Sequence, residues 1–575
     1  MKNRLFSLLP VAALACVCPT VSAQDVAAKR PVLRTVYFVP TDRQPEPAYQ
    51  ARLDRVMTEV QRFYRDGMER NGYPGMGFEL DRDDTGALRI FTVSAKGPMR
   101  DYGRNDSGKV RREVKDALAR QGLDIDKEVI VIFQLLLEWK DGKAEELGPY
   151  VGAGGAGYGY GTAWVYDDAR LDSTLLPSKD PGGYYHGPCS LGQFNTHYIG
   201  GIAHELGHAL GLPHDCQSEA DFAAKGTSLM GSGNHTYGTD ARGQGKGTFL
   251  SAASALPLSV HPLFTGLRTQ EPPPVSCRLA KLKAVFAGGA ILLDGQMEGG
   301  GLPTGIVALN NLTDKPGDYH AVGWTCPVGA DGQFRLSMGE LTSGNWHLRL
   351  RAYGPRGDFQ TFEFSYAVDQ KGAPDLAPFE DAIWLQRALD AFQAKDRETL
   401  RNIIAEARNV RALDKITHLD KLLADTRPPP VLASITADTV LLGDVAYESA
   451  AVGWGSPQRN QVLTGGRGPL LEVGGRFFAS GLYAHAPASY TYRLDGKWKT
   501  FATKYGLQDG NGGTVVFVIM GDGKELFRSE TVRSGAAKEQ TVPVAGVRQL
   551  ELIVEDGGDG NGGDWGVWLE PRLTR

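Results

Sequence analysis

The stretch HELGHALGLPHD, from His204 to Asp215, holds the residues of this 575-residue chain best placed to do chemistry. Side chains four apart stack on one face of a helix, so His204 and His208 present two imidazoles to one metal ion, with Glu205 beside them in the same turn. Gly211 lets the chain turn sharply out of the helix, and His214 then returns as a third nitrogen ligand. Three histidines leave one position of a tetrahedral Zn2+ open to water, whose pKa the metal lowers toward about 7. Glu205 is placed to take that water's proton during attack on a peptide carbonyl and to pass it to the leaving amine. A lone histidine is ordinarily a satisfied surface or core residue. With 11 His and 73 Gly in the chain, however, this combination arises by chance on the order of once in 10⁴ chains or less often. The constellation therefore reads as a site.

Elements on both sides must hold these residues. VLRTVYFVP, from Val32 to Pro40, reads as a strand, and Leu53, Val56, Val60, Phe63 and Tyr64 that follow have helical spacing. A strand around 87–93, a helix around 110–121 and the apolar strand EVIVIFQLL complete a twisted sheet packed by helices, assigned to 24–272. Beyond it, from Cys277 to about Asp369, short alternating segments separated by Gly, Asp and Pro turns predict a β-sandwich, assigned to 273–370. Ile383, Leu385, Leu389, Phe392, Leu400, Ile403 and Ile404 recur at helical spacing in a linker region, 371–431, closed by the stiff RPPP of Arg427 to Pro430. Residues 432–575 return to β-rich, Gly-punctuated sequence. The fold class is multidomain, α/β plus all-β.

Formal net charge is −5 with acidic and basic residues interspersed, which excludes a polyanion-binding surface; no nucleic-acid partner is expected. The N-terminus has basic Lys2 and Arg4, an apolar run from Leu5 to Cys18, and small residues at Val21 and Ala23. It reads as a secretory signal, 1–23, cleaved after Ala23, which makes the chain a secreted one. Lipidation at Cys16 is the alternative. A membrane anchor is disfavoured because the run is short and broken by Pro10, and no other segment offers the roughly 20 apolar residues a span needs. Four cysteines remain after the signal, and the expected disulfides are Cys189–Cys216 and Cys277–Cys326. A monomer is expected.

The histidine spacing resembles that of the metzincins, whose further mark is a methionine turn beneath the zinc. SLMGSGN, from Ser228 to Asn234, places Met230 sixteen residues after His214, suited to that turn. The resemblance gives Asp215, directly after the third ligand, a buttressing role. Where some metzincins carry a tyrosine that assists the oxyanion, two residues after the methionine, this chain has Ser232; Tyr237 is the alternative source of such help. Only Gln24 to Arg30 separate the signal from the first strand, so no inhibitory propeptide is expected.

Read together, TVYFVPTD, FYRDGMERNGY, GGIAHELGHALGLPHD and GTSLMGSGNHTYGT resemble the bacterial mucin-type O-glycan-dependent endopeptidases. The resemblance runs from about Val32 to near Asp369 and is strongest around the histidines. It implies a secreted protease that cleaves O-glycosylated, mucin-like proteins just before a Ser or Thr bearing the glycan. Such specificity needs an aromatic platform beside the metal. GYGYGTAWVYD would be the edge strand that pairs with substrate, offering Tyr158, Tyr160, Trp164 and Tyr166, of which Tyr158 and Tyr160 are expected to face it. Asn234, His235 and Tyr237 are candidates for the pocket taking the glycosylated residue.

Toward the C-terminus, GLYAHAPASYTYRLDGKWKTFATKYG and VEDGGDGNGGDWGVWLEPRL resemble the NPCBM family, a β-sandwich module described as carbohydrate-binding. Asp556, Asp559, Asn561 and Asp564 are candidate Ca2+ ligands there, and Trp454, Trp498 and Trp565 are candidates to stack on sugar. Two other readings compete: a metzincin indifferent to glycans, and a glycan-binding adhesin whose protease domain is inactive.

Overall fold

The computed structural model describes residues 30–155, 159–266, 275–315, 318–408, 410–463 and 468–575. The secretory signal, Cys16 and Tyr158 lie outside the described residues. The chain divides into two compact units, Met1–Pro378 and Phe379–Arg575.

The first unit is built on a twisted sheet. Strand β1 (Val32–Val39) is followed by helix α1 (Tyr49–Arg70), strand β2 (Ile90–Ser94), helix α2 (Ser107–Ala119) and strand β3 (Val129–Gln134). Strands β4 (Val151–Gly155) and β5 (Tyr160–Tyr166) precede the long helix α3 (Leu191–Ala209). The strand order is β2-β1-β3-β5-β4, and the short strand Glu79–Leu80 pairs with the start of β1. The first four run parallel, whereas β4 is antiparallel to β5 and forms the edge. Every residue of β3, VIVIFQ, is buried, as expected for a parallel strand covered on both faces. Helix α1 buries Leu53, Val56, Met57, Val60, Tyr64 and Met68, the stripe of an amphipathic helix. Arg52 on the same face donates to both carboxylate oxygens of Asp167, at 3.0 and 3.1 Å, and to the carbonyls of Asp168 and Leu171. The Tyr37 hydroxyl donates to Asp167 at 2.7 Å. This satisfied buried pair pins α1 to the end of β5.

The same unit contains the expected β-sandwich. One sheet joins Cys277–Ala287, Ala290–Gly299 and Gln333–Met338; the other has the order Val322–Pro327, Gly305–Leu312, Gly344–Tyr353, Phe359–Val368. Ala253, Leu256 and Val260 of helix Ala252–Val260 share a buried cluster with Val307, Leu309, Ala321 and Tyr353. The sandwich is thus packed onto the sheet-and-helix layer rather than strung beside it.

The disulfides expected from the sequence are not formed. Cys189, Cys216, Cys277 and Cys326 are all free. Cys189 lies on a short strand, Pro188–Ser190, that pairs with Pro181–Tyr184, whereas the Cys216 amide donates to Ala321 of the sandwich at 2.7 Å. The Cys277 thiol faces Gln360 Oε1 at 3.6 Å, and Cys326 pairs with Ile306 in the other sheet. The backbone of Cys189, Cys216 and Cys326, and the thiol of Cys277, are held by residues other than the expected partner. Burial raises the thiol pKa of Cys277 to about 11 and that of Cys326 to about 12, which keeps them protonated and poor in thiolate.

In the second unit, helices Ala377–Gln393, Arg397–Glu406 and Leu413–Ala424 pack through Leu400, Ile403, Ile416 and Leu419 and bury Leu470 of the C-terminal module with them. His418 also approaches the carbonyl of Asn460 at 2.7 Å. The helical region read as a linker is therefore part of the C-terminal unit's core. The module itself has two facing antiparallel sheets, of six and five strands, with Tyr490, Tyr492, Phe501, Phe517, Leu550 and Trp568 between them.

Candidate active site

Helix α3 begins with a reciprocal cap: Ser190 accepts from the Gln193 amide, and the Gln193 side chain accepts from the Ser190 amide. Its far end carries His204, Glu205 and His208, and Gly211, at φ 80°, turns the chain back. One ligand atom each from His204, His208 and His214 lie within 4.8 Å of one another, with the Nε2 atoms of His208 and His214 at 3.0 Å. His204 Nδ1 is 2.8 Å from the Leu229 carbonyl, and His208 Nδ1 is 2.9 Å from that of Leu212. A carbonyl can only accept, so each Nδ1 carries the proton and each Nε2 keeps its lone pair for the cluster. Burial lowers the His204 pKa to about 4 and shifts His208 the same way, holding both in the neutral form that ligates. Three imidazoles converging in this way fit a divalent ion of intermediate softness such as Zn2+.

The remaining shell is built by backbone contact. Glu205 is half-buried; burial pushes its pKa up to about 7, against the Gly152 amide that donates to its carboxylate. A Cβ at Gly152 would overlap the Glu205 carbonyl, so only glycine lets the edge strand β4 lie this close to α3. Met230 is fully buried with its sulfur directly against Gly207, where any side chain would collide with it. Asp215 is buried and accepts from Ser228, Ser251 and Ser254 at 2.7, 3.0 and 2.7 Å. It braces the loop carrying His214 and does not join the histidine cluster.

Beside Glu205 a cleft of about 260 Å³ is lined by Arg104, Glu146, Tyr150, Tyr166, Tyr185, His197, Tyr198 and Asn234. The Tyr185 ring stacks on His197 at 3.6 Å and 18°. The Tyr198 hydroxyl donates to Glu146 at 3.2 Å, and Arg104 reaches the same carboxylate at 3.4 Å. The cleft thus combines flat aromatic faces with a held carboxylate and an exposed guanidinium.

The sequence expectations fare unevenly here. Asn234 lines the cleft, and exposed His235 lies at its rim, its ring 5.3 Å from that of His197. Tyr237 does not face the cleft: it is buried, and its hydroxyl donates to Glu59 at 3.2 Å on α1. Trp164 and Tyr166 are buried, and Tyr160 is 37% exposed at the first position of β5. The strand carrying these aromatics is not the edge; the glycine-rich β4 is, because its small residues let it run against α3. Arg104, Tyr150, Tyr185, His197 and Tyr198 were not anticipated. Two of them had a signal: His197 lies seven residues, two helical turns, before His204, and Tyr198 follows it.

Comparison with known proteins bears on both units. OgpA from Akkermansia muciniphila, in its wild-type crystal structure, is similar at 24% identity with a TM-score of 0.51 over 60% of this chain and 96% of OgpA. Catalytically inactive OgpA bound to an O-glycopeptide substrate, glycodrosocin, is similar at 24% identity with a TM-score of 0.50 over 59% of this chain and 93% of that one. The likeness establishes a shared fold. A Renibacterium salmoninarum protein named as a candidate endo-alpha-N-acetylgalactosaminidase is 32% identical over 151 residues, which are 25% of this chain and 10% of that protein's length. Residues 438–574 form an NPCBM/NEW2 domain.

On the NPCBM domain, Trp498 is buried and serves the core. Trp454 is 53% exposed, with its ring 5.3 Å from Trp565 and 6.3 Å from His485. The carboxylates offered as Ca2+ ligands have hydrogen-bond partners within the domain. Asp556 accepts from the Gly558 amide, Asp559 from the Thr514 hydroxyl and Asp564 from the Thr514 amide. Among the described residues the histidine trio is the sole group of three such side chains with ligand atoms this close. No described helix is long and apolar enough to cross a membrane.

Proposed function

We propose that this chain is a secreted zinc endopeptidase that cleaves mucin-type O-glycosylated polypeptides on the N-terminal side of the glycosylated Ser or Thr. The observation that carries this reading is the three-histidine cluster with Glu205 opening directly onto a tyrosine-lined cleft. Zn2+ held by His204, His208 and His214 would supply a Lewis acid that makes water a nucleophile near neutral pH. Glu205, its carboxylate held by the Gly152 amide, takes the proton from that water as it attacks the scissile carbonyl and delivers it to the leaving amine. Strand β4, paired only through β5 among the described residues, offers its other edge to the substrate backbone. The cleft beside Glu205 would take the glycosylated residue and the sugar attached to it. Tyr185 supplies a flat face for that sugar, while Arg104 and Glu146 supply hydrogen bonds to hydroxyls.

The O-glycopeptide complex of OgpA supports this substrate class. The NPCBM domain is read as a carbohydrate-binding module that holds the enzyme near glycans and raises its effective local concentration. The test uses one peptide in two forms, bare and carrying galactosyl-GalNAc on a single threonine, with and without chelator, and reads new N-termini by mass spectrometry. Chelator-sensitive cleavage of the glycosylated form alone, just before that threonine, is expected. Equal cleavage of both forms would leave a glycan-indifferent protease. Release of free glycan with the peptide intact would instead favour the glycosidase chemistry in the Renibacterium protein's name.

A further inference from the structure

The β-sandwich reaches into the histidine cluster. Tyr319, in the short helical turn between strands Gly305–Leu312 and Val322–Pro327, stacks its ring on His214 with centroids 3.6 Å apart and planes at 29°. The same ring lies within 6° of parallel to His204, at 6.5 Å. Tyr319 is 51% exposed, so it is not placed there to fill a core.

Two features hold it over His214. Two residues past His214, the Cys216 amide donates to the Ala321 carbonyl at 2.7 Å, and the Gly323 amide donates back to the Cys216 carbonyl at 3.4 Å. Cys216 and Val322 form a parallel bridge. The chain just beyond the third histidine is therefore stitched to the chain just beyond Tyr319. On the other side, Asp215 is held by three serine hydroxyls, which leaves the loop little freedom to carry His214 away from the ring. His204 and His208 sit on the helix, whereas His214 stands on the loop that follows it. A ring against the face of an imidazole restricts its tilt while leaving the in-plane nitrogen lone pairs available, because stacking uses the π surface and ligation uses the plane.

We infer that Tyr319 is a positioning residue of the metal centre: its ring, supplied by the β-sandwich, fixes the His214 imidazole in the orientation that completes the three-nitrogen site. The inference rests on the metalloprotease reading above. It makes the sandwich a structural part of the metal site, in addition to any role in carrying substrate.

The test is the zinc dissociation constant of the full chain, measured by competition with a chromogenic chelator, for the wild type, Tyr319→Ala and Tyr319→Phe. Loss of an outer-shell partner of a metal ligand typically weakens binding about 10–100-fold. Tyr319→Ala is expected to fall in that range and Tyr319→Phe, which keeps the ring, to stay within about twofold of the wild type. Should Tyr319→Ala lower the melting temperature of the metal-free protein, Tyr319→Leu takes its place, since it keeps bulk without the flat face. Wild-type affinity in Tyr319→Ala or Tyr319→Leu overturns the inference and leaves the metalloprotease reading intact. An equal loss in Tyr319→Phe assigns the effect to the hydroxyl and overturns it as well. A wild-type chain that binds no zinc removes the metalloprotease reading itself.

Discussion

Glu205 and the three histidines differ in what each substitution should remove. Glu205→Gln keeps the shape and the Gly152 contact but cannot accept a proton. It should lower kcat by roughly 10²–10⁴, the usual span for a general base, with zinc stoichiometry near that of the wild type. His208→Ala should lose both zinc and activity, and metal analysis beside the glycopeptide assay separates the two cases. Another histidine contributes to acid stability. His261 is buried, accepts from the Leu263 amide at 3.1 Å through Nδ1, and has its pKa lowered to about 4 by burial. The folded-state pKa lies below the unfolded value of about 6.5. Its contribution is therefore fully present above about pH 6.5 and is lost as pH falls toward 4. Between pH 7.5 and 5.0 this costs about 2 kcal/mol at 1.36 kcal/mol per pKa unit. His261→Asn keeps the capping acceptor without the titration, so urea midpoints for the metal-free protein should show a shallower acid loss in the variant. Equal slopes would mean that His261 takes up its proton at about the same pH folded as unfolded.

At the scale of elements, the edge strand β4 is the part most exposed to small changes. Gly152→Ala pushes a methyl into the Glu205 carbonyl, a backbone contact that cannot rotate away. Overpacking of this kind costs about 1–3 kcal/mol. Because the strain falls on the residue whose amide holds the Glu205 carboxylate, activity should fall more than the melting temperature alone explains. A glycine-tolerant exposed position such as Gly86, where a Cβ meets no atom within 4 Å, is no control, since its φ is +84°; Gly187, in open space at a φ that side chains accept, is the proper one. The buried pair at Arg52 and Asp167 gives a second element-level expectation. Arg52→Ala leaves an uncompensated carboxylate under α1 and should cost about 3–5 kcal/mol, read as a drop in thermal midpoint.

For the whole molecule, the first unit carries the proposed chemistry and the NPCBM domain carries proposed affinity. The two should separate experimentally. Trp454→Ala removes an exposed ring of the second unit. The kcat/KM on a short glycopeptide should be unchanged, whereas retention on immobilised mucin should weaken roughly tenfold, the equivalent of about 1.4 kcal/mol of lost stacking. Unaltered retention would exclude Trp454 as the sugar platform.

The residues that do local work are legible in the amino-acid order. The spacing from His204 to His214 encodes a helical face and a return loop, and the alternating and helical periodicities mark the α/β layer, both β-rich regions and the helices between them, because these patterns depend on neighbours within a few positions. What long-range packing decides is not legible there. No local pattern shows that Gly152 lets β4 lie against α3, that Tyr237 turns inward to Glu59, or that the four cysteines stay free. Tyr319 lies more than a hundred residues beyond His214 and belongs to another layer; it reaches the histidine cluster because the chain at Cys216 hydrogen-bonds the sandwich at Ala321. Sequence determined which groups are present and which of them share a helix face. Tertiary structure alone decided which side chains from distant segments meet at the site, since that depends on backbone approach distances that no periodicity records.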